Sequence, residues 1–313
     1  MDELRGRTVL ITGASSGVGL AAASAFARAG CDVAVLARGE EGLAEAARRV
    51  RAHARRALVV PAAVTDRAAV QEAVDRVEAD WGGLDVLVVN AAATIFGPFT
   101  TVDPDDFDRV IAASFTGAVN TVRAALPALE RSGGTIVATG SLMSKVPLPT
   151  FSSYAAAKHA LRGFLGTLRI ELRAQRSPVT VSMLHPGAID TPVWEQTASS
   201  VGTLPRRPPE GYTADTIAAG LVGLAVNPHA EITVGAEAQA IEALFHYARP
   251  LGDLVLTALH HYYASGARPI GDRSALVHSV GRGIVDNGLL GRRSLTLPLR
   301  AATWPLRRAL ALR

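Results

Sequence analysis

Short apolar runs alternate with amphipathic stretches from the first residues of the chain onward. Thr8–Ile11, Val33–Leu36, Ala57–Val60, Val86–Val89, Thr135–Val137 and Val179–Leu184 are runs of three to six mostly aliphatic residues, the pattern of strands buried on both faces. Between them Leu20–Ala29, Leu43–His53, Ala68–Asp80, Pro104–Glu130 and Ser152–Gln175 have helical length and apolar spacing. Alternating strands and helices predict an α/β chain with a parallel, doubly wound sheet and helices on both faces. This pattern runs through residues 1–236, read as one domain. Residues 237–313 are read as a mainly helical extension, with Ile241–Ala264 a helix broken at Pro250.

Composition sharpens that picture at its C-terminal end. The 313 residues are 49% hydrophobic, ample for a large core, and the net charge is only +4. Residues 239–313 carry ten Arg against Glu242, Asp253, Asp272 and Asp286, so the basic character belongs to the extension. Aromatic residues are 5% and no nucleic-acid motif is present, which argues against a nucleic-acid partner. Cys31 is the only cysteine, so no intramolecular disulfide forms, and a reducing, cytoplasmic setting is expected. No apolar signal core follows the N-terminus, and no run of 18 apolar residues appears.

Two places carry chemistry. Directly after the first strand, Thr12-Gly13-Ala14-Ser15-Ser16-Gly17-Val18-Gly19 leads into a helix. Glycines there let the backbone turn sharply and approach a pyrophosphate, held by N–H groups at the helix N-terminus. The second place is Tyr154-Ala-Ala-Ala-Lys158, in a chain with 30 Arg and only two Lys. Positions i and i+4 share a helix face, so the ammonium stands beside the phenol. An adjacent cation is expected to lower the phenol's pKa toward the working range of an acid/base.

The G-x-x-x-G-x-G spacing, Tyr154-x-x-x-Lys158 and Ser141 thirteen residues before the tyrosine together resemble the short-chain dehydrogenase/reductase family, over about residues 5–236. The resemblance implies a Rossmann-type domain, a nicotinamide dinucleotide and hydride transfer at a carbonyl or alcohol carbon. It assigns Tyr154 as general acid/base, Ser141 as the hydroxyl that polarises the substrate oxygen, and Lys158 as the cation. It places the dinucleotide against Gly13, Ser15, Ser16, Gly17, Val18 and Gly19, against Arg38, Val64, Asn90 and Ala91, against Tyr154 and Lys158, and against Pro186, Gly187, Ile189 and Thr191. Family members commonly pair through the two long helices, which implies a homodimer or homotetramer.

Three positions depart from the family pattern. Ala37 stands where NAD-binding members have an acidic residue and Arg38 follows it, offering a guanidinium to a 2′-phosphate; NADP(H) is therefore favoured over NAD(H). Ala63 replaces an adenine-contacting Asp, leaving the backbone at Val64. Ser114 replaces the Asn of the site, so a proton relay to Lys158 would need an extra water. His185 has no second histidine nearby and is read as a packed loop residue, and the adjacent His260 and His261 point apart on a helix, so no metal site is expected.

The substrate wall is read as Leu142, Met143, Val146, Leu148 and Phe151 with Val193, Trp194 and the loop to Tyr212. Leu204–Pro209 is expected to form a mobile loop over the crevice. Apart from Lys145 and the exposed-looking pair Arg206 and Arg207 this wall is apolar, which favours a hydrophobic ketone, aldehyde or secondary alcohol. A rival reading is a dinucleotide-binding regulatory or scaffold protein with little turnover. Leu295–Arg313 mixes Leu, Trp304 and Arg, a composition suited to peripheral contact with an anionic membrane or to capping a partner subunit.

Overall fold

The computed structural model describes residues 2–208, 211–266, 268, 269, 276 and 283–286. Seven parallel strands, β1 (Thr8–Thr12), β2 (Asp32–Ala37), β3 (Ala57–Pro61), β4 (Val86–Val89), β5 (Thr135–Thr139), β6 (Thr180–Pro186) and β7 (Glu231–Val234), lie in the order β7-β6-β5-β4-β1-β2-β3. Every residue of β1, β2, β4 and β5 is buried, as strands covered on both faces require. Chain order reverses between β1 and β4, and a crevice opens there beyond the strands' carboxyl ends.

Strand pleating divides the apolar residues between two cores. Val9, Ile11, Val33 and Val35 face α1 (Gly17–Arg28), α2 (Glu40–Arg51) and α8 (Ala214–Val226), where Leu20, Phe26, Leu43, Ile217 and Leu221 are fully buried. Leu10, Leu36, Leu87 and Ile136 face α3 (Arg67–Trp81), α5 (Gly117–Ser132) and α6 (Ser152–Ala174) through Val70, Val77, Leu129 and Leu161. Each such side chain contributes roughly 1.5–3 kcal/mol. Asp66 caps α3 by accepting from the Ala68 and Ala69 amides at 3.0 and 3.1 Å.

The expected helix Pro104–Glu130 is three pieces: α4 (Pro104–Ile111), a π-helical turn Ala112–Thr116, and α5. The widened turn brings Ser114 to face the end of the β4 connection. In the extension the break falls at Ala248, between α9 (Ala236–Tyr247) and α10 (Arg249–Ala264). Pro250 is the second residue of α10, where its missing N–H costs no helical bond. No helix among the described residues is long and apolar enough to cross a membrane. Leu295–Arg313, which carried the expectation of membrane contact, and Pro209 lie outside the described residues.

Candidate active site

One cavity of about 980 Å³ runs from the glycine loop to the extension. At its dinucleotide end Gly13 has φ +69°, and a Cβ there would stand 2.8 Å from Ala91 Cα. A Cβ on Gly19 would stand 2.2 Å from the Gly13 carbonyl. The loop is thus close-packed against β4, leaving the α1 N-terminus to face the crevice. Asn90 fixes that packing: its side-chain amide donates to the Thr12 and Gly13 carbonyls at 3.1 and 3.3 Å. Ser15, Ser16, Val18, Arg38, Val64 and Ala91 line the same cavity, as do Pro186, Gly187, Ile189 and Thr191 on the β6 side. These glycines, the helix start and a guanidinium beyond β2 fit a dinucleotide.

Two described pieces of the C-terminal segment lie across this end. The Gly17 amide donates to the Ile284 carbonyl at 2.9 Å and the Gly283 amide to the Ser15 carbonyl at 3.1 Å. Arg38 Nη1 donates to the Leu276 carbonyl at 3.4 Å. Sequence reasoning missed these contacts, because no local pattern links residues more than 230 positions apart.

At the chemical end Ser141 follows β5 and caps a short turn, Leu142–Ser144. Its hydroxyl accepts from the Met143 amide and its own amide donates to Ser144 Oγ, both at 3.1 Å. Tyr154, in the first turn of α6, hydrogen-bonds Ser141. Burial nevertheless pushes its phenol up to about 12, outweighing that bond. Burial likewise brings the Lys158 ammonium down to about 8. Lys158 Nζ lies 5.6 Å from the Tyr154 ring centroid and donates to the Thr139 carbonyl at 2.8 Å. The expected depression of the tyrosine pKa by its lysine is therefore corrected: desolvation dominates and the phenol stays protonated at neutral pH.

The other expected site residues divide. Ser114 is fully buried, donating to the Ala93 carbonyl and accepting from the Ala93 amide, both at 2.9 Å, so its hydroxyl ties down the connection that follows β4. His185 is an interior residue of β6 rather than a loop residue, with its burial lowering its pKa. Among the described residues no His, Cys, Asp and Glu side chains gather into a metal site. Lys145 turns away from the cavity toward Glu242 and Thr233. Arg207 is half-buried and paired with Glu195 rather than exposed. The described part of the expected loop, residues 204–208, is tied to the extension, by Leu204 N to Arg268 O at 2.8 Å and Arg206 N to Tyr263 O at 3.0 Å.

Leu142, Met143, Val146, Leu148 and Phe151, with Val193 and Trp194 of the single-turn helix α7 (Val193–Gln196), line the cavity as expected. The extension adds lining that the sequence did not reveal, packed directly against these residues: Ile241 of α9 and Leu256, Leu259 and Tyr263 of α10. Tyr263 stacks on Trp194 with ring centroids 5.9 Å apart and planes 9° apart.

A crevice at the switch point of a doubly wound parallel sheet, with a Gly-rich loop at one end and a hydroxyl pair beside a buried lysine at the other, defines a dinucleotide-dependent oxidoreductase. The chain belongs to the short chain dehydrogenase family, whose signature it matches over residues 7–201, and is an NAD(P)-dependent dehydrogenase/reductase acting on small substrates. It is 30% identical over 292 residues to an uncharacterized oxidoreductase, YxnA, of Bacillus subtilis, covering 92% of this chain and 82% of that one. It is 37% identical over 193 residues to a hydroxysteroid 11-beta-dehydrogenase 1-like protein of Xenopus tropicalis, 61% of this chain and 67% of that one. A solved alcohol dehydrogenase from Thermococcus sibiricus, complexed with 5-hydroxy-NADP, superposes with TM-score 0.66 at 28% identity, covering 73% of this chain and 95% of that one.

Proposed function

We propose that the protein is an NADP(H)-dependent oxidoreductase of an apolar ketone, aldehyde or secondary alcohol, with Tyr154 as its general acid/base. The observation that carries this reading is the Ser141 and Tyr154 hydroxyl pair where an apolar wall meets the dinucleotide crevice. When bound, NADP(H) donates or receives the hydride at the substrate carbon. The glycine loop and the α1 N-terminus would hold its pyrophosphate, and Arg38 its 2′-phosphate. Ser141 and Tyr154 donate hydrogen bonds to the substrate oxygen, where negative charge builds during reduction, and Tyr154 delivers the proton. Lys158, titrating at about 8, has the affinity required of a group that exchanges protons near neutral pH.

The NADP derivative in the Thermococcus enzyme supports the phosphate-bearing cofactor, and the hydroxysteroid name of the Xenopus relative accords with a bulky, neutral ring substrate. Residues 1–236 would form the catalytic domain and 237–313 an extension to it. Assembly through α5 and α6 as a homodimer or homotetramer would cover Ile170, exposed on α6, and light scattering tests it. The rival reading, a dinucleotide-binding regulator with little turnover, draws on the Ile284 carbonyl at the Gly17 amide.

Titration of nicotinamide fluorescence with NADPH and NADH, in wild type and Arg38→Ala, tests the cofactor. NADPH preference that collapses in the variant supports the reading. Equal affinities in both proteins refute the role of Arg38.

A further inference from the structure

Both lysines of this arginine-rich chain are buried, Lys158 at 2% exposure and Lys145 at 9%. Lys145 directly follows the turn capped by Ser141, yet its ammonium leaves the cavity. It donates to Glu242 Oε1 of α9 at 2.8 Å and to Thr233 Oγ1 of β7 at 2.9 Å. Thr233 in turn donates to the other oxygen of the same carboxylate at 2.8 Å. Glu231 Oε2 stands 3.5 Å from the ammonium and is held by Arg162 on its other side. Burial raises the Glu242 carboxyl, but the Lys145 and Thr233 hydrogen bonds outweigh it and hold the group ionised. Acceptors converging on one point suit a compact ammonium and not a planar guanidinium fork.

Stability alone is a weak reason for such an arrangement, because a buried ion pair commonly contributes no more than apolar residues of the same volume. Its position is more informative. The clasp joins the two halves of one apolar cluster: Val146, Leu148 and Phe151 after the Ser141 turn, and Leu256 and Tyr263 of α10. Ile241 lies one residue before Glu242 and lines the cavity.

We propose that Lys145 is a positioning residue whose clasp on Glu242 docks the α9–α10 hairpin against the Ser141 turn, making the extension one wall of the substrate site and a determinant of its specificity for bulky apolar carbonyls. This rests on the oxidoreductase reading above. Ser141 is held by Met143 and Ser144, independently of Lys145, so the clasp acts on substrate binding more than on the chemical step.

The test uses the full chain with 2-acetonaphthone as probe, its binding in the presence of NADP⁺ followed by Trp194 fluorescence, with Trp194→Phe assigning the signal. Glu242→Gln and Lys145→Met should each weaken the probe by about tenfold or more, as misplacement of one apolar wall would. NADPH-dependent reduction of the ketone should show the loss in KM rather than in kcat, with NADPH affinity retained. The double variant should lose no more than one single, the signature of a pair acting as a unit. Probe affinities within about twofold of wild type in a folded Glu242→Gln would overturn the proposal, leaving Lys145 a purely structural residue; that isosteric variant decides the matter should Lys145→Met fail to fold. Wild type that binds NADPH but no probe also overturns it. Wild type that binds the probe yet reduces none of it refutes the oxidoreductase reading, and the affinities still judge the clasp.

Discussion

Gly19→Ala sets two effects of opposite sign against each other. Gly19 is the third residue of α1, and alanine in a helix is favoured over glycine by about 0.8–1 kcal/mol. The new Cβ, however, would stand 2.2 Å from the Gly13 carbonyl oxygen, 2.7 Å from Asn90 Nδ2 and 2.8 Å from the Gly13 carbonyl carbon. Relief requires a backbone shift of about 1 Å, which puts the cost in the upper part of the overpacking range, about 2–3 kcal/mol. The loop cannot yield freely, because the Gly13 amide donates to the Leu36 carbonyl at 2.8 Å while Asn90 holds its carbonyl. The clash wins, by roughly 1–2 kcal/mol, a fall in Tm of about 2–6 °C. The same shift displaces amides that would hold the pyrophosphate, and losing one charge-assisted bond of about 1.5–3 kcal/mol weakens NADPH by about 10–100-fold. Thermal melts and fluorescence titration measure both, with Gly163→Ala as control. Gly163 lies within α6, and a Cβ there meets nothing within 4 Å, so that variant should be stabilised. A Gly19→Ala protein as stable as wild type, with unchanged NADPH affinity, would refute the close-packed cradle.

Ser114→Ala leaves the buried Ala93 amide and carbonyl without their partner, so urea unfolding should show a loss of about 1–3 kcal/mol, while kcat falls by less than about tenfold; a larger kcat loss with unchanged stability would make Ser114 a relay residue instead. Lys158 titrates at about 8 in the folded protein against 10.5 ordinarily, so between those values the unfolded chain binds the extra proton and stability rises with pH. Cys31, whose burial pushes its thiol from 9.0 up to about 12, opposes this rise above about pH 9, and Tyr154, Tyr212 and Tyr263, each pushed up to about 12 mainly by burial, reverse it above about pH 10. Unfolding free energies should accordingly climb between pH 8 and 9 in wild type, level off toward pH 10, and stay flatter between pH 8 and 9 in Lys158→Met. Ending the chain at Gly266 removes the Ile284 carbonyl from the Gly17 amide, and NADPH should then bind about 2–10-fold more tightly, the worth of one intrachain hydrogen bond; weaker binding would mean that the segment supports the cofactor.

The central strands and the glycine loop were legible because their signals are local: continuous aliphatic runs, and glycines directly between a strand and a helix. β7 gave no comparable run, since Glu231–Val234 is a four-residue edge strand whose side chains alternate between exposed and buried. Pro250 indicated a break in the right neighbourhood, but proline is tolerated in the first turn of a helix, so the break lies two residues earlier. The pairing of Tyr154 with Lys158 was visible as i and i+4. The direction of the tyrosine's pKa was not, because spacing reports the neighbouring cation and says nothing of burial. Lys145 was noticed only as a charge on an apolar wall; its partners lie 88 and 97 residues further along, where only the fold brings them together.

The most direct test of the account is steady-state reduction of 2-acetonaphthone by NADPH in wild type and Tyr154→Phe, with NADPH affinity measured on both. Wild type should turn over, and the variant should lose about 10²–10⁴-fold in kcat while binding NADPH as tightly as before. A Tyr154→Phe protein that reduces the ketone at the wild-type rate would contradict it.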